Sequence, residues 1–106
     1  MSRKRIPFQY RFRSPLLSGV KTCTSRPRKM ASVGDTFEAF GATFEVVLVE
    51  RLTLLTIREE LWREEGCASP ADFEAIWCLL HPRRGFQSSQ KVSVHRFKLM
   101  QEASDG

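Results

Sequence analysis

The side chains best suited to chemistry on a polar or anionic ligand are concentrated in residues 19–26. Within these eight residues the sequence places a lysine, two threonines and an arginine beside a glycine turn. In a strand that begins at Lys21, alternation would put Thr22, Thr24 and Arg26 on one face, with Lys21 at the junction with the turn. Such a strand could line a site for an anionic or polar ligand. An exposed edge strand that merely carries polar side chains is the competing interpretation.

The charge distribution favours a polyanionic partner. The formal net charge is +5, and the first 29 residues hold nine Lys or Arg with no Asp or Glu. Basic residues return towards the C-terminus, at Arg83, Arg84, Lys91, Arg96 and Lys98. Because a basic surface attracts phosphate-bearing molecules, RNA or a nucleotide suits this chain better than an acidic protein.

The length and composition indicate a single domain. A chain of 106 residues has the commonest domain size, and 42% apolar residues with eight Phe can fill a core. We expect a basic, flexible tail over residues 1–6, one domain over 7–100 and a flexible tail over 101–106. A monomer is the favoured oligomeric state.

The cysteines argue against a disulfide framework and against a metal site. The three residues Cys23, Cys67 and Cys78 are an odd number, and they have no metal-ligand spacing to His81 or His95. We therefore expect a reducing, cytoplasmic location and no metal or other cofactor. No apolar run is long enough for a membrane span, so no membrane partner is expected.

Local patterns predict the elements that would hold the polar strand. They indicate a first strand over 6–12, a short helix over 14–18 stopped by Gly19, and a loop over 27–32. A hairpin follows, with strands over 36–40 and from 43 towards 54 or 57, joined at Gly41-Ala42. The second hairpin strand is longer than average, and we expect it to bend as barrel strands do.

Two helices and a last strand complete the prediction. Thr56 and Glu59 form a capping-box pattern for a helix that ends at Gly66. Ser69 and Pro70 begin a second helix, which Pro82 stops. Its apolar stripe consists of Phe73, Ile76, Trp77 and Leu80. A strand over 91–99 ends the domain, with a bulge near His95.

This order of elements predicts an α+β fold rather than alternating βαβ units. We expect a small, mostly antiparallel β-barrel of about five or six strands, with two to three helices.

An ordered set of motifs runs along the chain. These are Gly19-x-Lys21-Thr22-x-Thr24-x-Arg26, Val33-Gly34-Asp35, the helical region with Glu64-Glu65-Gly66, His81-Pro82 and a closing Val-x-Phe-type strand. With this set the chain resembles, over roughly residues 8–100, the ASCH domain, a PUA-like β-barrel named for its similarity to RNA-binding PUA domains.

The resemblance implies a cleft that handles RNA, a nucleotide or a modified base. One branch of the family consists of N4-acetylcytidine amidohydrolases, in which a lysine, a threonine and a glutamate act together. Carried over, these roles fall on Lys21 as base, Thr24 as nucleophile and Glu65 as the group that aids the intermediate, with Glu64 as the alternative. Other members are ribonucleases, so a metal-independent ribonuclease is a third hypothesis.

The amidohydrolase chemistry requires Lys21 to act as a base. A threonine hydroxyl needs a base, and a lysine serves as one only when its pKa falls from about 10.4 towards neutrality. Nearby Arg26 and Arg28 would favour the neutral amine, whereas a close Glu65 would oppose it. A charged lysine that binds phosphate is the alternative role for Lys21.

The loop after Arg26 and the last strand are more basic than in the amidohydrolases, which favours a larger polyanionic ligand. The main hypothesis is therefore RNA or nucleotide binding without catalysis. The residues expected to contact the ligand are Thr22, Arg26, Arg28, Lys29, His95 and Arg96.

Overall fold

The computed structural model describes residues 2–102. A 3-10 helix at Tyr10–Phe12 continues into α1, and four strands and two further helices follow it. These elements are α1 (Arg13–Ser18), β1 (Cys23–Arg26), β2 (Thr36–Ala39), β3 (Ala42–Thr53), α2 (Leu54–Glu60), α3 (Pro70–Leu80) and β4 (Lys91–Glu102). The strands form one antiparallel sheet in the order β1-β4-β3-β2. The predicted α+β class and barrel-like sheet are confirmed, but residues 2–102 contain four strands and not five or six.

The strand predicted over residues 6–12 is wrong. Phe12 N donates to the Gln9 carbonyl at 3.0 Å, which closes a helical turn where the prediction had extended backbone. Ile6 and Phe12 are both buried in the core. Two apolar side chains can reach the same core from a turn, so alternation in the sequence did not require a strand here.

The first residues lie along β2, where the sequence predicted a flexible tail. The backbones of Ser2 and Thr36 are hydrogen-bonded at 2.8 Å, and Lys4 N donates to the Thr36 carbonyl at 2.7 Å. Asp35 adds a side-chain contact, since its carboxylate accepts from Ser2 N at 3.0 Å. This segment therefore occupies the outer edge of β2. Residues 103–106, part of the predicted C-terminal tail, lie outside the described residues.

The hairpin of β2 and β3 turns one residue earlier than predicted. Its connection is Phe40-Gly41, and both residues have positive φ, 52° and 81°. Positive φ at both central positions is typical of the two-residue turns that suit the twist of paired strands. Ala42 belongs to β3.

Two bulges bend the long β3-β4 ladder. Val47 is the additional residue in β3, because Val46 pairs with Phe97 and Leu48 with Arg96. Met100 is the additional residue in β4. β3 is long and bent as predicted, but the bulge predicted near His95 lies elsewhere.

The helix predicted from Thr56 to Gly66 is shorter and starts earlier. Thr53 is the N-cap of α2, and its side chain accepts from Thr56 N at 3.2 Å. The helix ends at Glu60, and residues 61–66 form turns. α3 matches the prediction better, with Ser69 as N-cap, Pro70 at the first position and Trp77 buried, although Leu80 is exposed.

An aromatic cluster in the core joins strands β2, β3 and β4 to the N-terminal segment. The Phe37 and Phe44 rings stack at 5.2 Å, and Phe97 meets both of them edge-on. Phe8 contacts Phe37 and Phe97 from the N-terminal segment. In residues 2–102 no helix has the length and apolar character needed to cross a membrane.

Candidate functional site

A cavity of about 400 Å³ lies between β1, the N-terminal segment, the turn after α2, and α3. Four residues singled out from the sequence line it together, namely Lys21, Thr24, Arg26 and Glu65. The other lining residues are Pro7, Phe8, Gln9, Phe12, Ser25, Cys67, Phe73, Ile76, Trp77, Leu80 and His81. The cavity thus has a polar wall from β1 and Glu65, and a largely apolar wall from α3 and the N-terminal segment.

Backbone hydrogen bonds bring Glu65 to β1. Thr22 N and Cys23 N both donate to the Glu64 carbonyl, at 2.8 and 3.3 Å. Glu64 therefore anchors the turn through its backbone, and the Glu65 side chain lines the cavity. Gly66 has φ +86°, which ends this turn in the left-handed region that glycine adopts readily.

Lys21 is held against Glu65 in the interior. Its Nζ donates to the Glu65 backbone oxygen at 2.6 Å and lies 3.5 Å from Glu65 Oε1. The two residues are only 3% and 5% exposed, so this is a buried ion pair. Nζ also lies 4.4 Å from the centre of the Phe12 ring, a favourable place for a cation.

The second oxygen of Glu65 contacts β1. Ser25 Oγ donates to Glu65 Oε2 at 2.5 Å, and Cys23 Sγ lies 3.7 Å from the same oxygen. Burial, followed by the charge of Glu65, raises the pKa of the Cys23 thiol. Burial likewise raises the pKa of Cys67 to about 12. Because the thiolate is the reactive form, neither cysteine is suited to act as a nucleophile here.

Thr24 is bonded to Arg26 and not to Lys21. Arg26 Nε donates to Thr24 Oγ1 at 3.1 Å, and Arg26 Nη2 donates to the Pro7 carbonyl at 2.7 Å. The guanidinium carbon lies 5.1 Å from the centre of the Phe8 ring. Burial lowers the pKa of Arg26, and the charge of Glu65 raises it. Arg26 thus ties Thr24 to the N-terminal wall of the cavity.

The strand alternation explains this division of partners. Lys21, Cys23 and Ser25 alternate along the chain, and all three contact Glu65. Thr24 and Arg26 belong to the other set of alternate residues and bond to each other.

The apolar wall offers flat surfaces. The Trp77 and His81 rings stack with centres 4.0 Å apart and an interplanar angle of 25°. His81 Nδ1 lies 3.1 Å from the Trp77 carbonyl. Phe73 lies 6.2 Å from Trp77 between ring centres. A planar ligand could pack against these rings while the opposite wall supplies hydrogen bonds.

Several residues expected to contact a ligand do not line the cavity. Thr22 is partly buried, and its backbone joins the Glu64 turn to Phe97. Arg28 and Lys29 are exposed in the loop after β1. Arg96 forms an ion pair with Glu50 at 2.8 Å, and this hydrogen bond raises the pKa of Arg96.

His95 lies inside the protein. It is completely buried, its Nε2 accepts from Met30 N at 2.9 Å, and its Nδ1 lies 3.3 Å from the Thr24 carbonyl. Both ring nitrogens therefore have backbone partners, which leaves neither available to a ligand. Burial, together with the charges of Arg26 and Lys29, lowers the pKa of His95, and the hydrogen bond to Thr24 opposes this.

Sequence reasoning missed Ser25 and the aromatic wall. Ser25 lies within the polar segment, but its link to Glu65 joins residues 40 apart in the chain. Trp77 was predicted only as part of the apolar stripe of α3, and it both packs in the core and lines the cavity. Within residues 2–102, no group of three or more His, Cys, Asp or Glu is arranged to hold a metal ion.

No protein-family model matches the chain, and no curated protein matches it. Solved structures do show similarity. The crystal structure of hypothetical protein PH0355 superposes with a TM-score of 0.71 at 13% identity, covering 94% of this chain and 100% of that chain. The crystal structure of protein EF3133 from Enterococcus faecalis V583, which is described as a DUF984 protein, superposes with a TM-score of 0.62 at 16% identity. This superposition covers 87% of this chain and 68% of that chain.

The fold itself is that of a named domain. An ASCH domain from Lactobacillus crispatus JV V101 superposes with a TM-score of 0.63 at 15% identity, covering 92% of this chain and 78% of that chain. Identities of this size establish similarity of fold and nothing about ligand or activity. The chain has an ASCH-like fold.

Proposed function

We propose that this protein binds RNA by accepting one base or nucleoside unit into the cavity. The observation that carries this proposal is that one cavity is lined both by Trp77 and by four polar residues, Lys21, Thr24, Arg26 and Glu65. At about 400 Å³ the cavity falls in the range of small-molecule sites, roughly 300–1,000 Å³. Proteins that recognise single-stranded RNA combine aromatic stacking with hydrogen bonds to base edges, and both are available here.

Exposed basic residues next to the cavity support a nucleic-acid strand as the ligand. Three of the segments that line the cavity, namely the N-terminal segment, β1 and α3, continue into exposed basic residues. These are Arg11, Arg13, Arg28, Lys29, Arg83 and Arg84. We call these six residues the basic rim. None of them forms an ion pair with another residue in 2–102, whereas Arg3, Arg58, Arg96 and Lys98 are all paired with glutamates. An unpaired basic surface is suited to phosphates.

The test is a titration of a fluorescently labelled, short single-stranded RNA in the presence of EDTA. We expect binding that weakens as salt rises from about 50 to 200 mM, because phosphate contacts release counterions. Free nucleosides should compete if a base enters the cavity. Absence of RNA binding at low salt would rule out the proposal, and shortening of the RNA would indicate the ribonuclease alternative.

A second candidate function is hydrolysis of an N4-acetylcytidine-type amide by Lys21, Thr24 and Glu65. The hydrogen bond from Arg26 Nε to Thr24 Oγ1 favours it, because a charged donor stabilises a developing alkoxide. The contact of Lys21 with Glu65 instead of Thr24 counts against it. Turnover of N4-acetylcytidine that Thr24→Ala abolishes would support this candidate, and no turnover at high enzyme concentration would exclude it.

A further inference from the structure

We infer that Ser25 is the activated hydroxyl of the cavity, with Glu65 as its base. This inference rests on the proposed function only in that the reacting molecule would enter the same cavity. In this role Ser25 is a nucleophile suited to acyl transfer from an amide or ester. Neither the resemblance nor the fold comparison assigns any role to Ser25.

The first support is the contact between hydroxyl and base. Ser25 Oγ and Glu65 Oε2 are 2.5 Å apart, and both residues are buried and line the cavity. An activated nucleophile requires a base within hydrogen-bonding distance of its proton. Ser25 meets this requirement. Thr24 does not, because the hydrogen bond of its hydroxyl within residues 2–102 is the one it accepts from Arg26, and none joins it to a base.

The second support is the group that orients the base. Lys21 Nζ lies 3.5 Å from Glu65 Oε1 and is fixed by its 2.6 Å bond to the Glu65 backbone oxygen. The carboxylate is therefore held between Lys21 on one oxygen and Ser25 on the other. A nucleophile, a base and a third group that orients the base form the arrangement common to hydrolytic triads.

The reaction balances without a cofactor. Ser25 Oγ attacks the acyl carbonyl while its proton passes to Glu65, and the positive charges of Lys21 and Arg26 favour the oxyanion that forms. The bond from carbon to the leaving amine or alcohol then breaks, and the leaving group takes the proton from Glu65. Water, deprotonated by Glu65, cleaves the acyl-serine to a carboxylic acid and restores the hydroxyl.

The test uses a fluorophosphonate, because this probe reports an activated hydroxyl without knowledge of the substrate. Attack by Ser25 Oγ forms an O–P bond, the P–F bond breaks, fluoride leaves and the hydroxyl proton passes to Glu65. Mass spectrometry of the digested protein locates the adduct. We expect it on Ser25 of the folded protein, at a rate at least about 100-fold above that of the urea-unfolded chain, the size of a general-base contribution.

Three variants sharpen the result. Ser25→Ala should abolish the adduct, and Glu65→Gln should slow labelling about 100-fold or more while it keeps the size of the side chain. Ser93→Ala is the matched control. Ser93 is also buried, in the neighbouring strand, but it bonds to Arg51 and does not line the cavity. Ser93→Ala should label at the wild-type rate.

Each outcome decides the inference. An adduct on Thr24, no adduct on Ser25 of the wild-type protein, or an equal rate in Glu65→Gln would overturn it. The wild-type mapping does not depend on whether any variant folds. RNA binding is measured separately, so loss of one property and presence of the other distinguishes failure of this inference from failure of the proposed function.

Discussion

Gly66 lies directly against the aliphatic part of Lys21. A Cβ at Gly66 would be 3.1 Å from Lys21 Cβ and 3.2 Å from Lys21 Cδ, closer than ordinary van der Waals contact. The same glycine has φ +86°. The position of the lysine in the cavity therefore depends on the absence of a side chain at residue 66.

We predict that Gly66→Ala destabilises the protein and displaces Lys21. The positive φ alone should lower the free energy of unfolding by about 1–2 kcal/mol, and the contact with Lys21 should add to this. Gly85→Ala is the matched control, because Gly85 has φ +63° with nothing within 4 Å of the added Cβ. Urea unfolding of both variants measures the difference. Equal losses would show that the Lys21 contact has no energetic effect.

We predict strong coupling between Lys21 and Glu65. Removal of one partner from a buried ion pair leaves an uncompensated charge, which typically lowers the free energy of unfolding by about 3–5 kcal/mol. Lys21→Met and Glu65→Gln should each destabilise the protein, and the double variant should lose less than the sum. A double-mutant cycle from urea unfolding checks this. Additive losses would mean that the 3.5 Å contact contributes no interaction energy.

We predict that stability falls in mild acid because of His95. Its pKa is lowered in the folded protein, so between that value and the unfolded value of about 6.5 the unfolded chain binds more protons. Stability is therefore complete above about pH 6.5 and decreases as the pH falls below it. Free energies of unfolding measured from pH 8 to 5.5 should show this decrease. His95→Gln should flatten the curve, and an unchanged slope in this variant would contradict the prediction.

We predict that the basic rim accounts for much of the salt dependence of RNA binding. Replacement of both Arg28 and Lys29 by alanine should weaken binding and reduce the slope of log K against log salt by up to about 1.4, or about 0.7 for each lost phosphate contact. Arg3→Ala with Lys98→Ala removes the same charge from residues paired with Glu38 and Glu45. Fluorescence anisotropy of the labelled RNA compares the affinities of the two double variants across a range of salt concentrations. Equal weakening would show that net charge, and not the rim, attracts the RNA.

The elements that the sequence predicted well are those with local signals. Ser69 and Pro70 begin α3 through contacts within one turn, namely a cap and a favourable φ. The start of α2 was missed because Thr53 and Thr56 are both acceptable N-cap residues. The sequence pattern alone does not distinguish between them. The bulge positions depend on how β3 pairs with β4, which no local pattern contains.

The same distinction applies to the candidate site. The ordered motifs led to Lys21, Thr24, Arg26 and Glu65, which share one cavity in the structure. The partners of these side chains could not be predicted, because they are distant in the chain. Met30 bonds to His95 across 65 residues, which converts an expected ligand contact into an interior residue.

The backbone of Ser2 and Lys4 along Thr36 has a consequence for how the protein is handled. β2 is a terminal strand of the sheet, and such strands readily pair with strands of other molecules when their N–H and C=O groups are uncovered. A truncation that removes the first five residues would open this edge. The shortened protein should self-associate through intermolecular strand pairing even though its cavity residues are unchanged.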